Sequence, residues 1–205
     1  LLLEWLRSGL VWHVHFATPC TWASQARTTS IGQDDTSESG LACARATVRL
    51  LRAIRRVRAS LRPKFSLENP KSSRLWSWEP MRRELERGGA KFATFDMCRF
   101  GTPYLKPTTI ASTLPELTES LADLKCKCSA PHILLEGKAY LLNSQGKREG
   151  VWLTTFAAVY PPHLCRAIAA VLVRAAPPAY VTNDTLDMGR DLSGTHPPSP
   201  LTARA

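Results

Sequence analysis

Residues 42–61 form a long amphipathic segment between two short apolar runs, VWHVHF at residues 11–16 and KFSL at residues 64–67. In the segment, Leu50, Ile54, Val57 and Leu61 recur at helical spacing and predict a core-facing stripe. Pro63 stops the helix. The flanking runs are short and β-rich, so each predicts a strand. A second helical stretch, residues 79–87, ends at Gly88-Gly89, and residues 91–97 and 108–112 read as two more strands. Strand, helix, strand, helix, strand, strand predicts an α/β domain with a mostly parallel sheet. In such sheets ligands sit beyond the carboxyl ends of the strands.

Other segments complete the outline. Residues 1–6 read as a helix stopped by Gly9, and residues 17–40 as a polar loop. A polar, cysteine-bearing region runs to Gly150. Residues 161–174 predict a closing helix with Leu164, Ile168, Val171 and Leu172 on its apolar face and two prolines in its first turn, where they are tolerated. The domain is expected over residues 1–175. Residues 176–205, rich in Pro, Thr, Asp and Gly, are expected to be a disordered tail.

Charge narrows the partners. The net charge is +10. Arg45, Arg49, Arg52, Arg55, Arg56, Arg58 and Arg62 surround the apolar stripe with no acid among them. Such a surface suits an acidic partner, most simply nucleic acid, although a solvated face explains the same pattern. No apolar run reaches the roughly 18 residues of a membrane span, and no membrane partner is expected. Six cysteines spread over 205 residues lack the density of a secreted scaffold, so reduced, intracellular thiols are expected. The chain opens on Leu1, which suggests a piece of a longer reading frame.

Two peptides fall just past the first two strands: Thr18-Pro19-Cys20 and Glu68-Asn69-Pro70. A cysteine at a strand end offers a nucleophile if its thiolate can form. A carboxyl at the next strand end offers a proton donor or acceptor. Cys20 as a buried structural thiol and Glu68 as a surface carboxylate are the plain alternatives.

In order, 18-TPCTWAS-24, 63-PKFSLENPKSS-73 and 98-CRFGTPYLKPTTI-110 resemble the core of the cytosine C5 methyltransferases, in their divergent phage-type and mobile-element-type form. The peptide 160-YPPHLCRAIAAVL-172 is similar to that family's closing helix. The resemblance covers residues 10–172. It implies a partial Rossmann-like, S-adenosylmethionine-dependent methyltransferase sheet with flanking helices. It also implies that Cys20 attacks C6 of a cytosine extruded from DNA, or less simply RNA, so that C5 can take a methyl group. Glu68 would bind the base, Asn69 would fix the loop, Ser24 and Arg27 would contact phosphate, and Lys106 would stand where the family places arginine. A nuclear location follows if the source is eukaryotic.

The chain also departs from the family. Its Phe-x-Gly-x-Gly turn, which holds S-adenosylmethionine, has no counterpart ahead of Cys20, where Gly9 is the sole glycine. The first strands and a full cofactor pocket are therefore expected to be missing. Ala157-Ala158-Val159 replaces the usual Gly-Asn before the last helix. A non-catalytic, basic nucleic-acid-binding remnant of a mobile element is the alternative expectation.

Cys126, Cys128 and His132 form a C-x-C-x3-H cluster of zinc-type ligands. Only three are local; Cys98, His163 or Cys165 would have to supply the fourth, and the expectation is a metal-free, solvent-facing loop. His13 and His15 share one strand face and read as a packed pair. Trp76 and Trp78 read as core residues, with base stacking as the other use.

Overall fold

The computed structural model describes residues 2–20, 23 and 35–180. It is α/β, with a mixed four-stranded sheet flanked by helices. Helix α1 (Leu2–Ser8) leads to β1 (His13–Phe16), and α2 (Asp35–Arg56) returns the chain to β2 (Lys64–Pro70). Helix α3 (Glu79–Gly88) leads to β3 (Lys91–Asp96), which continues through a 3-10 turn (Met97–Phe100) towards β4 (Pro107–Ser112). Then come α4 (Pro115–Leu121), a hairpin of β5 (Lys138–Leu142) and β6 (Arg148–Trp152), the short α5 (Leu153–Phe156) and α6 (Pro162–Ala175).

The strand order is β1-β2-β4-β3. β1 runs parallel to β2, whereas β4 is antiparallel to both β2 and β3. Three strands thus share a direction, but only one neighbouring pair is parallel. This corrects the expected mostly parallel pairing. The physical reason is β4, which enters between β2 and β3 after a connection too short for a crossover helix. β4 also extends the β2 ladder through Glu68, Asn69 and Pro70. The peptide expected just past the strand is therefore part of it.

Side-chain alternation splits the core in two. On one face Phe16, Phe65, Leu67 and Ala111 pack against Leu6 of α1, Val48, Leu51 and Ile54 of α2, and Met81 and Leu85 of α3. On the other, Ala93, Phe95 and Ile110 pack against Leu117 and Leu121 of α4 and Leu164, Ile168 and Val171 of α6. Each fully buried aliphatic side chain contributes about 1.5–3 kcal/mol.

Several boundaries move. α2 starts at Asp35, inside the predicted loop, with Glu38 in its first turn where the helix dipole favours an acid. Its buried stripe is Ala44, Thr47, Val48, Leu51 and Ile54. Leu50 is only half-buried and Leu61 is exposed, because the helix ends at Arg56 and a separate 3-10 turn carries Leu61. α4 and the β5–β6 hairpin occupy the stretch expected to be merely polar. Pro178–Tyr180 forms a 3-10 turn, and the Tyr180 hydroxyl donates to the Gly9 carbonyl, so the expected tail is ordered at its start. Its remainder, from residue 181, lies outside the described residues. No described helix is long and apolar enough to cross a membrane.

Candidate functional site

The parallel pair β1–β2 sets the site. Phe16 lies opposite Leu67, so the chain after β1 and the end of β2 emerge side by side. On the α6-facing side, alternation places His13 and His15 of β1 on the same face as Ser66 and Glu68 of β2, with His15 directly opposite Ser66. This part of the sheet face is polar, whereas its continuation onto β4 and β3 adds the core residues Ile110, Ala93 and Phe95.

Hydrogen bonds run across that polar face. The His15 Nδ1 lies 2.7 Å from the Ser66 hydroxyl, and its Nε2 lies 3.1 Å from the Tyr160 hydroxyl. The Tyr160 hydroxyl donates to Glu68 Oε2 at 2.6 Å. Because the Tyr160 proton goes to Glu68, its oxygen accepts from His15 Nε2–H, and His15 Nδ1 accepts from Ser66. Each donor is then used once. Burial lowers the His15 pKa, which keeps the imidazole in this neutral form. Burial and His15 together lower His13 to about 4, and its Nε2 is enclosed without a partner among the described residues.

Glu68 is 5% exposed. Burial pushes its pKa up, while the Tyr160 hydrogen bond and the Lys106 charge offset part of that rise. Its second oxygen, Oε1, is enclosed and has no partner among the described residues. Neighbouring Asn69 is 1% exposed, and its side-chain amide donates to the Thr18 carbonyl at 2.6 Å. That bond ties the loop carrying Cys20 to the end of β2. Thr18 also contacts Thr47 of α2, hydroxyl to hydroxyl, at 2.9 Å. Farther along the loop, buried Ala23 accepts from the Arg74 N–H at 3.0 Å.

Cys20 is half-buried. Burial raises its pKa; Lys106 pulls the other way, and Glu68 adds to the rise. The resting group is therefore a thiol with a cation and a carboxyl within electrostatic reach. Lys106 is itself held, donating to the Ala157 carbonyl at 2.7 Å. Such an arrangement can add sulfur to an electron-poor carbon, provided the proton leaves as the bond forms. The Glu68 carboxyl can donate one hydrogen bond when protonated and accept others when ionised.

Of the sequence-predicted residues, Cys20, Glu68, Asn69 and Lys106 come together. Ser24 and Arg27 lie outside the described residues. Tyr160 and His15 were not expected as partners of Glu68. The alternation His13-x-His15 marked the right face, but nothing local in sequence marks Tyr160, 92 residues from Glu68. Trp76 and Trp78 pack at the edge of the α2–α3 core, as the core reading expected. Cavities of about 390, 250 and 150 Å³ lie elsewhere; none is lined by Cys20, Glu68 or Lys106.

No family model, curated protein or solved structure matches the chain.

Proposed function

We propose that this is a cytosine C5 methyltransferase-like domain, in which Cys20 adds to C6 of an extruded cytosine and Glu68 holds the base. One observation carries the reading: Cys20, Glu68 and Lys106, far apart in sequence, converge at the end of the parallel pair, and Asn69 ties the cysteine loop to β2. The partnerless Glu68 Oε1 supports it, since an enclosed polar atom without a hydrogen bond costs about 1–3 kcal/mol unless something completes it. A base edge, with one ring nitrogen and one amine, would do so. In this reading Glu68 and Tyr160 orient the base, Lys106 favours the thiolate, and the bond from Asn69 to Thr18 sets the direction of attack.

S-adenosylmethionine supplies the methyl group in this chemistry, but the described residues do not fit it. β1 pairs with β2 on one edge and with no described strand on the other, and none of the cavities above adjoins Cys20. Under this reading the donor-binding strands belong against the free edge of β1. Methyl transfer therefore lies beyond what the described residues do alone.

DNA is the substrate class that the charge favours. Arg45, Arg49, Arg56 and Arg58 are exposed, and Arg7, Arg49, Arg52 and Arg56 line one groove between α1 and α2. The test is covalent trapping on DNA carrying 5-fluorocytosine, with donor-binding strands joined ahead of β1 and S-adenosylmethionine present. An adduct lost in Cys20→Ser is expected; no adduct overturns the catalytic reading. Salt-sensitive DNA binding that survives Cys20→Ser without any adduct would favour a non-catalytic basic module instead.

A further inference from the structure

Between Leu121 and Ala157 no side chain is buried. This stretch, which includes the β5–β6 hairpin, therefore has almost no hydrophobic core of its own. At its start, Cys126, Cys128 and His132 meet Cys98, which the 3-10 turn after β3 supplies. The four ligand atoms all lie within 4.8 Å of one another.

We propose that Cys98, Cys126, Cys128 and His132 bind one zinc ion in a closed, structural site. With Zn–S of about 2.3 Å and Zn–N of about 2.0–2.1 Å, a tetrahedron has S···S edges of about 3.8 Å and S···N edges of about 3.5 Å. The Cys126 Sγ to His132 Nε2 distance is 3.6 Å. The remaining pairs need only small side-chain rotations to close to the same edge length.

Backbone contacts hold both ligand-bearing segments. The Asp96 N–H donates to the Leu124 carbonyl at 3.0 Å, and the Cys126 N–H donates to Asp96 Oδ2 at 2.7 Å. Beyond the cluster, the Ile133 N–H donates to the Pro103 carbonyl at 2.9 Å, and Tyr104 and Ile133 form a parallel bridge. The ligands are thus aimed at one point by the fold. The Cys128 N–H donates to Cys126 Sγ at 3.4 Å, the kind of contact that favours sulfur as thiolate.

Three thiolates and an imidazole select zinc over hard cations. An iron–sulfur cluster spreads its ligands over separate irons, whereas these four ligand atoms gather within 4.8 Å, as around one ion. Four protein ligands leave no open position, so the role is to fasten, not to react. The ion would pin residues 124–133 to the end of β3 and so anchor the hairpin that follows. The proposal departs from the metal-free expectation because, of the three candidates for a fourth ligand, Cys98 is supplied by a different strand connection. His163 and Cys165 on α6 are not part of the group.

The test uses the full chain, purified reduced with zinc supplied. Metal analysis is expected to give one zinc per chain, and cobalt in its place should show a tetrahedral ligand field with thiolate charge-transfer bands. Cys98→Ser should weaken binding by more than about tenfold, while Cys165→Ser should leave it unchanged. If Cys98→Ser does not fold, the wild-type cobalt spectrum decides by itself. A zinc-free chain whose melting ignores both zinc and chelator, or an octahedral cobalt spectrum, would overturn the proposal.

Discussion

Glu68 is caught between opposing influences. Burial pushes its carboxyl towards the neutral form, while the Tyr160 hydroxyl and Lys106 favour the ionised one. Removing the hydroxyl takes away a stabiliser of the anion, so the Glu68 pKa should rise further. Tyr160→Phe is therefore expected to move the Glu68-dependent limb of a pH profile for adduct formation to higher pH. It should also cost about 1–2 kcal/mol, because His15 Nε2 loses its partner. A profile that stays in place would show that Tyr160 does not set the state of Glu68. The sequence made Cys20, Glu68 and Asn69 legible because each sits in a short peptide whose chemistry is local. Tyr160 was not legible, because its partner is fixed only when α6 docks on the far face of the sheet.

Among the helices, α2 and α3 are joined by a buried acid that changes the meaning of the arginine-rich face. Glu84 on α3 is 2% exposed, and it accepts from Arg52 Nε at 2.9 Å and Arg55 Nε at 3.3 Å. Burial alone would raise its pKa, but the two guanidiniums more than offset this and hold it below the usual carboxylate range. Two of the seven arginines are thus structural. Within residues 42–62 no acid is present, so sequence alone could not separate paired from free arginines. Glu84→Gln removes the charge and leaves two guanidiniums unpaired. Since both arginines remain partly in water, the expected loss is about 1–3 kcal/mol, read as a lower urea midpoint with unchanged slope. An unchanged midpoint would mean the pair is neutral in stability. The same limit explains the hairpin. KAYLL and REGVW leave most side chains of both faces exposed, so neither run shows the apolar–polar alternation that marks a half-buried strand.

Across the whole molecule, element type was readable for the sheet and for the helices α2, α3 and α6 that cover it, and pairing was not. Periodicity and proline or glycine punctuation located α2, α3, α6 and the four sheet strands. The insertion of β4 between β2 and β3 depends on long-range pairing that no local pattern encodes. The result is a sheet with apolar cores on both faces, a polar strip under α6, and a thiol, a carboxyl and an ammonium gathered where β1 and β2 end together. Five further cysteines, Cys43, Cys98, Cys126, Cys128 and Cys165, stand at exposed or half-exposed positions, which makes selectivity the sharpest test. The measurement is reaction of the chain with an oligonucleotide carrying a pyrimidin-2-one base, which lacks the exocyclic amine and takes a thiol at C6 without a methyl donor. Peptide mass spectrometry then maps the adduct. The account predicts modification at Cys20, lost in Cys20→Ser and slowed at least about tenfold in Glu68→Gln. Modification only at the exposed thiols, or none at all, would contradict it.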